Sequence, residues 1–158
     1  DLHLSIRRQR QMCIRDSDGI AAILREKLAS APPRIAALAE QITDDDNVVY
    51  RPMEWRFIDG DWYEGRVILI GDAAHSTTPH LGQGAGMAIE DSVVLAEELE
   101  RSDSVEEAFG GFQKRRFDRC KYIVESSVAI CNSQTGNGPR VNQAEATADM
   151  FRVTAEPI

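Results

Sequence analysis

The sequence predicts an α/β fold, and three observations carry the prediction. Residues 66–70 (Arg-Val-Ile-Leu-Ile) are a short, continuous β-branched and apolar run, the pattern of a strand buried on both faces of a parallel sheet. That run ends on Gly71-Asp72, and a loop rich in Gly and Pro leads into helical periodicity over 85–100. A second helical run starts at Ser104 and continues to about residue 132, with the apolar spacing of a packed helix.

Composition agrees with a globular chain. The 158 residues are enough for one domain with a real core, and 42% hydrophobic with 28% charged residues is ordinary for one. Lys and Arg number 18 against 26 Asp and Glu, a formal charge of −8, which argues against a general nucleic-acid binder. No apolar run approaches the ~20 residues needed to span a bilayer. Cys13, Cys120 and Cys131 have no CxxC spacing. A disulfide framework and a zinc site are therefore not indicated, and a reducing cytoplasm is the simplest location.

The elements follow in order. Residues 1–17 carry Arg7, Arg8, Arg10 and Arg15 on an otherwise acidic chain. One reading is a basic targeting arm; but they lack the apolar segment and cleavage site of a secretory leader, and QMCIRDS resembles translated adapter sequence, so they are read as extraneous or disordered. Residues 18–30 predict a helix capped by Asp18, with Ile20, Leu24 and Leu28 on one face. Pro32-Pro33 stops it and opens another over 33–42, before a polar loop at 43–47. Residues 48–58 alternate: Val49, Met53, Trp55 and Phe57 against Tyr50, Glu54, Arg56 and Ile58. That predicts a half-buried strand, with Pro52 at an edge or bulge. In the helix over 85–100, Ala85, Ala88, Ile89, Ser92, Val93, Ala96 and Leu99 form the expected inner face, while Glu97, Glu98 and Glu100 read as solvated. Ser104 and Glu107 form a capping box for the last long helix, which Gly110-Gly111 weaken. Residues 140–158 show no clear pattern.

The chemistry lies between Gly65 and Leu99. A buried strand ending in Gly71-Asp72 would set one carboxylate at the carboxyl edge of a sheet, where open α/β sheets bind ligands. Gly82-Gln83-Gly84-Ala85-Gly86 then stands directly before a helix. Such glycines let a flat or anionic group approach the backbone, and the helix start supplies free N–H donors. This is not a dinucleotide fingerprint: eleven residues, 71–81, separate the strand from the glycines, and no Gly-Lys-Ser/Thr is present. His75 and His80 near Asp72 lack a third ligand, so no metal site is assigned. His75 reads as orienting the loop by a hydrogen bond. Arg115, Arg116 and Arg119 read as partners of neighbouring acids.

The string Gly71-Asp72-Ala73-Ala74-His75, Pro79, Gly82-Gln83-Gly84, Ala88-Ile89-Glu90-Asp91, Leu95 resembles the C-terminal flavin motif of the FAD-dependent aromatic hydroxylases, the para-hydroxybenzoate hydroxylase-like flavoprotein monooxygenases. Trp62, Gly65-Arg66-Val67 and Arg115-Arg116-Phe117 extend it, over roughly 20–133. The resemblance implies the C-terminal part of a FAD-binding, Rossmann-like domain of the glutathione-reductase type over 61–133. It also implies the end of a mixed-sheet substrate domain over 18–60, and a tail over 134–158. It implies FAD contacts from Gly71, Asp72, Pro79, Gly82, Gln83, Gly84, Ala85, Gly86 and Met87. Asp72 would meet a ribityl hydroxyl, and the amides of Gly84 to Met87 the flavin N1/C2 region. It further implies NAD(P)H as co-substrate, oxygen transfer from O2 to a small aromatic molecule, and room for a homodimer of the full-length protein. A related halogenase or epoxidase, a non-catalytic module, and an acid–base or metal hydrolase using Asp72 and His75 stand as alternatives. On this reading the chain corresponds to a C-terminal portion, expected to hold FAD weakly and to hydroxylate nothing by itself.

Overall fold

The computed structural model describes residues 19–50 and 53–158, in two compact units that divide after Pro52. The readings made for residues 1–17, the Asp18 cap and Pro52 lie outside the described residues.

In the first unit, α1 (Ile20–Leu28) and α2 (Pro33–Ala39) are followed by a single 3-10 turn, Asp45–Asn47, inside the expected loop. The first turn of α1 is capped from a distance. Asp45 accepts from the Gly19 N–H at 2.6 Å and from the Ala21 N–H at 2.8 Å, satisfying two orphan donors of a helix start. These backbone donors hold the Asp45 carboxyl below the usual range.

Of the strand expected over 48–58, the described residues 48–50 and 53–58 form none. Val49, Tyr50, Met53 and Trp55 are exposed. In the second unit the Arg56 and Ile58 amides donate to the Ser76 and Ala74 carbonyls at 3.0 and 3.1 Å. A strand needs a ladder partner, and here two amides find acceptors only on the segment Ala74–Ser76, which is not a strand.

The run at 66–70 also departs from expectation. β1 (Tyr63–Glu64) and β2 (Val67–Ile68) make an antiparallel ribbon, pairing Tyr63 with Ile68 and Glu64 with Val67 across Gly65. It is the one sheet among the described residues. Val67 is 67% exposed, and Leu69 and Ile70 are exposed too. Of this run Ile68 packs against the core; two-sided burial needs layers on both faces, and among the described residues only the Ile68 side meets one. The described residues are thus mostly helical with a small sheet.

Next come α3 (Asp72–His75), a 3-10 turn (Pro79–Leu81), α4 (Gly84–Arg101), α5 (Val105–Thr135) and α6 (Gln143–Thr154). The Ser104 cap forms as the sequence predicts, its Oγ accepting from the Glu107 N–H at 3.1 Å. α4 packs on α5, but through Met87, Asp91, Val94 and Glu98 rather than the expected apolar stripe. Ile89, Val93 and Leu99 remain exposed, and Glu98, expected in solvent, is buried. The reason is ionic: α5 presents Arg115 and Arg116, so the acids of α4 turn toward them. The core gathers Trp62, Ala74, Met87, Val94, Phe112, Ile123 and Val124. Trp62 also donates its indole N–H to the Ile58 carbonyl at 2.8 Å, as a buried indole requires. In the region without sequence pattern, Asn142 caps α6, whose Met150 packs with Leu81 and Ile130. No helix among the described residues is long and apolar enough to cross a membrane.

Candidate functional site

The site begins at Gly71, whose φ of 56° and ψ of −139° suit glycine alone. A Cβ there would stand 3.3 Å from the Ala88 Cβ, so α4 crosses close over this turn. The turn sets Asp72 at the start of α3 with its side chain toward solvent. The chain then runs through Pro79 to Gly82, left-handed at φ 66°, and enters α4 at Gly84.

No side chain caps that helix start. The N–H groups of Gly84, Ala85 and Gly86 have no carbonyl one turn behind them. Gln83 folds its side chain back over the first turn, its Oε1 lying 3.4 Å from where a Gly86 Cβ would be. Met87 differs from expectation. Its N–H donates to the Gln83 carbonyl at 2.9 Å and its side chain is in the core, so it is not a free donor.

An open cleft of about 680 Å³ lies between these segments. Of the residues singled out from sequence, Gly71, Asp72, Pro79, Gly82, Gly84 and Ala85 line it; Gln83, Gly86 and Met87 do not. Ile70, Thr77, Thr78, Ala88 and Ser92 complete the walls. Sequence reasoning missed the two threonines, although they lie between His75 and Pro79 within the motif. Thr77 Oγ1 is buried without a hydrogen-bond partner, a polar atom left open in the cleft wall.

The turn is fastened from below by Asp91. Its Oδ2 accepts from the Gly71 N–H at 2.7 Å and from His75 Nε2 at 2.7 Å, and its Oδ1 accepts from Arg116 Nε at 2.8 Å. All three side chains are buried. Arg116 also lies 2.7 Å from Glu90, which pairs with Arg119 at 2.7 Å. Arg119 in turn donates to the Val153 and Thr154 carbonyls, closing the end of α6. Burial pushes the Asp91 carboxyl up, but the His75 and Gly71 hydrogen bonds and the neighbouring cations hold it below the ordinary range. Burial likewise opposes Glu90, and Arg119 and Arg116 prevail. Sequence placed Asp91 in the motif but read it only as a favourable charge near a helix start; the fold makes it the anchor of the turn. The ion-pair reading of the three arginines and the loop-orienting reading of His75 match this geometry.

His75, Asp91 and the Cys120 thiol come within 4.8 Å of one another. The Arg116 guanidinium occupies the same place, with Cys120 Sγ 3.5 Å away, and burial pushes the thiol up to about 12. A cation beside a protonated thiol is a poor setting for a second, divalent cation.

Residues 51–103 match the family model described as the FAD binding domain. Over 133 residues the chain is 33% identical to the FAD-dependent urate hydroxylase of Klebsiella pneumoniae, covering 82% of this chain and 33% of that protein. It is 48% identical over 69 residues to the 3-hydroxybenzoate 6-hydroxylase of Polaromonas naphthalenivorans, covering 43% of this chain and 17% of the relative. Among solved structures, Klebsiella pneumoniae HpxO complexed with FAD and uric acid superposes with a TM-score of 0.62 at 26% identity, covering 86% of this chain and 35% of that one. The relatives are FAD-dependent monooxygenases, as the sequence resemblance implies. The chain spans a sixth to a third of the length of these curated relatives, and 24% of the FAD-dependent monooxygenase SAT7 of Stachybotrys chartarum.

Proposed function

We propose that this chain forms the ring-side wall of the FAD site in a monooxygenase that hydroxylates a small aromatic molecule at the expense of NAD(P)H and O2. One observation carries the reading: within the stretch 51–103 that matches the FAD binding domain, a cleft is walled by a glycine-only turn, an exposed carboxylate and an uncapped helix start. The residues present fit the cofactor. Asp72 is available to accept from a ribityl hydroxyl. Gly84 and Ala85 line the cleft, and their amides are available to an anionic edge of the ring. Pro79 and the threonines bound the cleft beside the ring. Redox chemistry and O2 activation are what FAD supplies when bound. The protein contributes placement and field: a helix start stabilises a nearby anion by about 0.3–2 kcal/mol, which is roughly 6–43 mV for a two-electron couple.

The reading extends to the architecture and setting. Residues 61–133 serve as the C-terminal part of a Rossmann-like, glutathione-reductase-type FAD domain, and 18–60 as the end of a mixed-sheet substrate domain. The full-length protein is read as cytoplasmic, with room for a homodimer. A titration with riboflavin, followed by amide NMR, tests the site. Shifts centred on residues 70–88 that weaken in Asp72→Ala are expected; shifts centred elsewhere, or none, would falsify the assignment.

A further inference from the structure

The C-terminal helix backs both walls of the cleft without lining it. α6 is joined to α5 by an exposed link, residues 136–140, that holds Gly136, Gly138 and Pro139. Met150 alone of its side chains is buried, and it packs with Leu81 and Ile130. Leu81 closes the 3-10 turn that begins at the cleft residue Pro79 and runs into the cleft residue Gly82. At the end of α6, Arg119 donates to the carbonyls of Val153, Thr154 and Glu156 at 2.7, 2.9 and 3.2 Å, answering the orphan acceptors and negative pole of a helix terminus. The same guanidinium holds Glu90 at 2.7 and 3.0 Å. Glu90 shares Arg116 with Asp91, and Asp91 holds the Gly71 amide at 2.7 Å. One wall is thus backed through Met150 and the other through Arg119. A helix of 12 residues is marginal by itself in water. Its seat depends on one buried side chain and one guanidinium, which puts its docking at the low-stability end of the unit.

We propose that α6 is a latch on the cleft. Docked, it holds the turn from Pro79 to Gly82 and the turn at Gly71 in the geometry that takes the ring. Undocked, it releases Leu81 and Glu90, and the cleft loosens. Met150 and Arg119 are positioning residues that act through those two side chains and touch no ligand. The inference rests on the flavin reading of the cleft and adds a control to it. A ligand that binds only the docked state must also hold α6 down, and docking of α6 must raise the ligand's affinity by the same factor. A helix that adds only global stability shows neither effect.

Amide hydrogen exchange on the chain, followed by NMR with and without riboflavin, tests the latch. Saturating riboflavin is expected to slow exchange of the α6 amides about fivefold or more, the low end of ordinary coupling between sites. Met150→Ala removes the contact with Leu81. It is expected to free α6, to speed exchange of the Gly82 amide that donates to the Pro79 carbonyl, and to weaken riboflavin by the same factor. The α5 amides stay protected in that variant, which shows that the unit is folded; should they not, Arg119→Gln frees the other end of α6 and is read at the Gly71 amide. Met150→Leu, which keeps the volume, restores the parent's affinity. An α6 that ignores bound riboflavin, or a Met150→Ala chain that binds it as the parent does, overturns the proposal. Should no riboflavin bind, the flavin reading fails and the Gly82 amide still decides the latch: unchanged exchange there with α6 freed overturns it.

Discussion

Gly71 and Asp91 decide the local geometry of the cleft. Gly71 carries a backbone conformation that side chains avoid, and its amide is held by a buried carboxylate. Gly71→Ala therefore meets two costs, strain at positive φ and the Ala88 methyl at 3.3 Å. A loss of about 1–3 kcal/mol is expected, measurable by urea denaturation; an unchanged midpoint would show that the turn relaxes freely. The motif made Gly71 and Asp72 legible in the sequence. Asp91 was visible as a residue but not as an anchor, because its three partners, Gly71, His75 and Arg116, lie 16 to 25 positions away along the chain.

Helix pairing between α4 and α5 depends on the two adjacent glycines of α5, which read in sequence only as a weakness. They are not equivalent. A Cβ on Gly111 would lie 2.9 Å from the Glu98 carboxyl carbon, and Glu98 cannot step aside because Arg101 and Arg115 hold it at 2.9 and 3.0 Å. A Cβ on Gly110 would meet only the Tyr63 hydroxyl at 3.5 Å. Helix propensity alone favours alanine at either position by about 1 kcal/mol. Gly110→Ala is thus expected to raise the melting temperature, and Gly111→Ala to lower it by overpacking, worth about 1–3 kcal/mol. Scanning calorimetry on the two variants checks this; the same sign for both would mean that propensity outweighs the contact. The boundaries of α4 and the cap of α5 were readable, since capping and periodicity are local. The buried face of α4 was not: its apolar residues point outward because the acids answer the arginines of α5.

Over the whole second unit, the carboxylates of Asp91 and Glu90 tie α3, α4, α5 and α6 into one ionic network. Both carboxyls titrate below their ordinary values of 3.8 and 4.5. The stability they contribute is therefore fully present above about pH 4.5 and lost as pH falls through the lower, folded values. Chemical denaturation between pH 7 and pH 3 should show a steep acid-side loss. Asp91→Asn should flatten it while costing about 3–5 kcal/mol at pH 7, because Arg116 is then left partly uncompensated in the interior. A variant with the parent's acid profile would remove Asp91 from that role.

The sequence by itself determined the flavin-type motif, the helices from Gly84 to Thr135 and the acid-arginine complement, because turn chemistry, capping and periodicity are encoded within a few neighbouring residues. Only the tertiary structure decided that the run at 66–70 pairs in a two-residue antiparallel ribbon, that Arg56 and Ile58 bond to the segment at Ala74–Ser76 without forming a strand, and that Asp91 reaches back to the cleft. Strand pairing and burial depend on which distant groups arrive opposite one another, and no spacing along the chain records that.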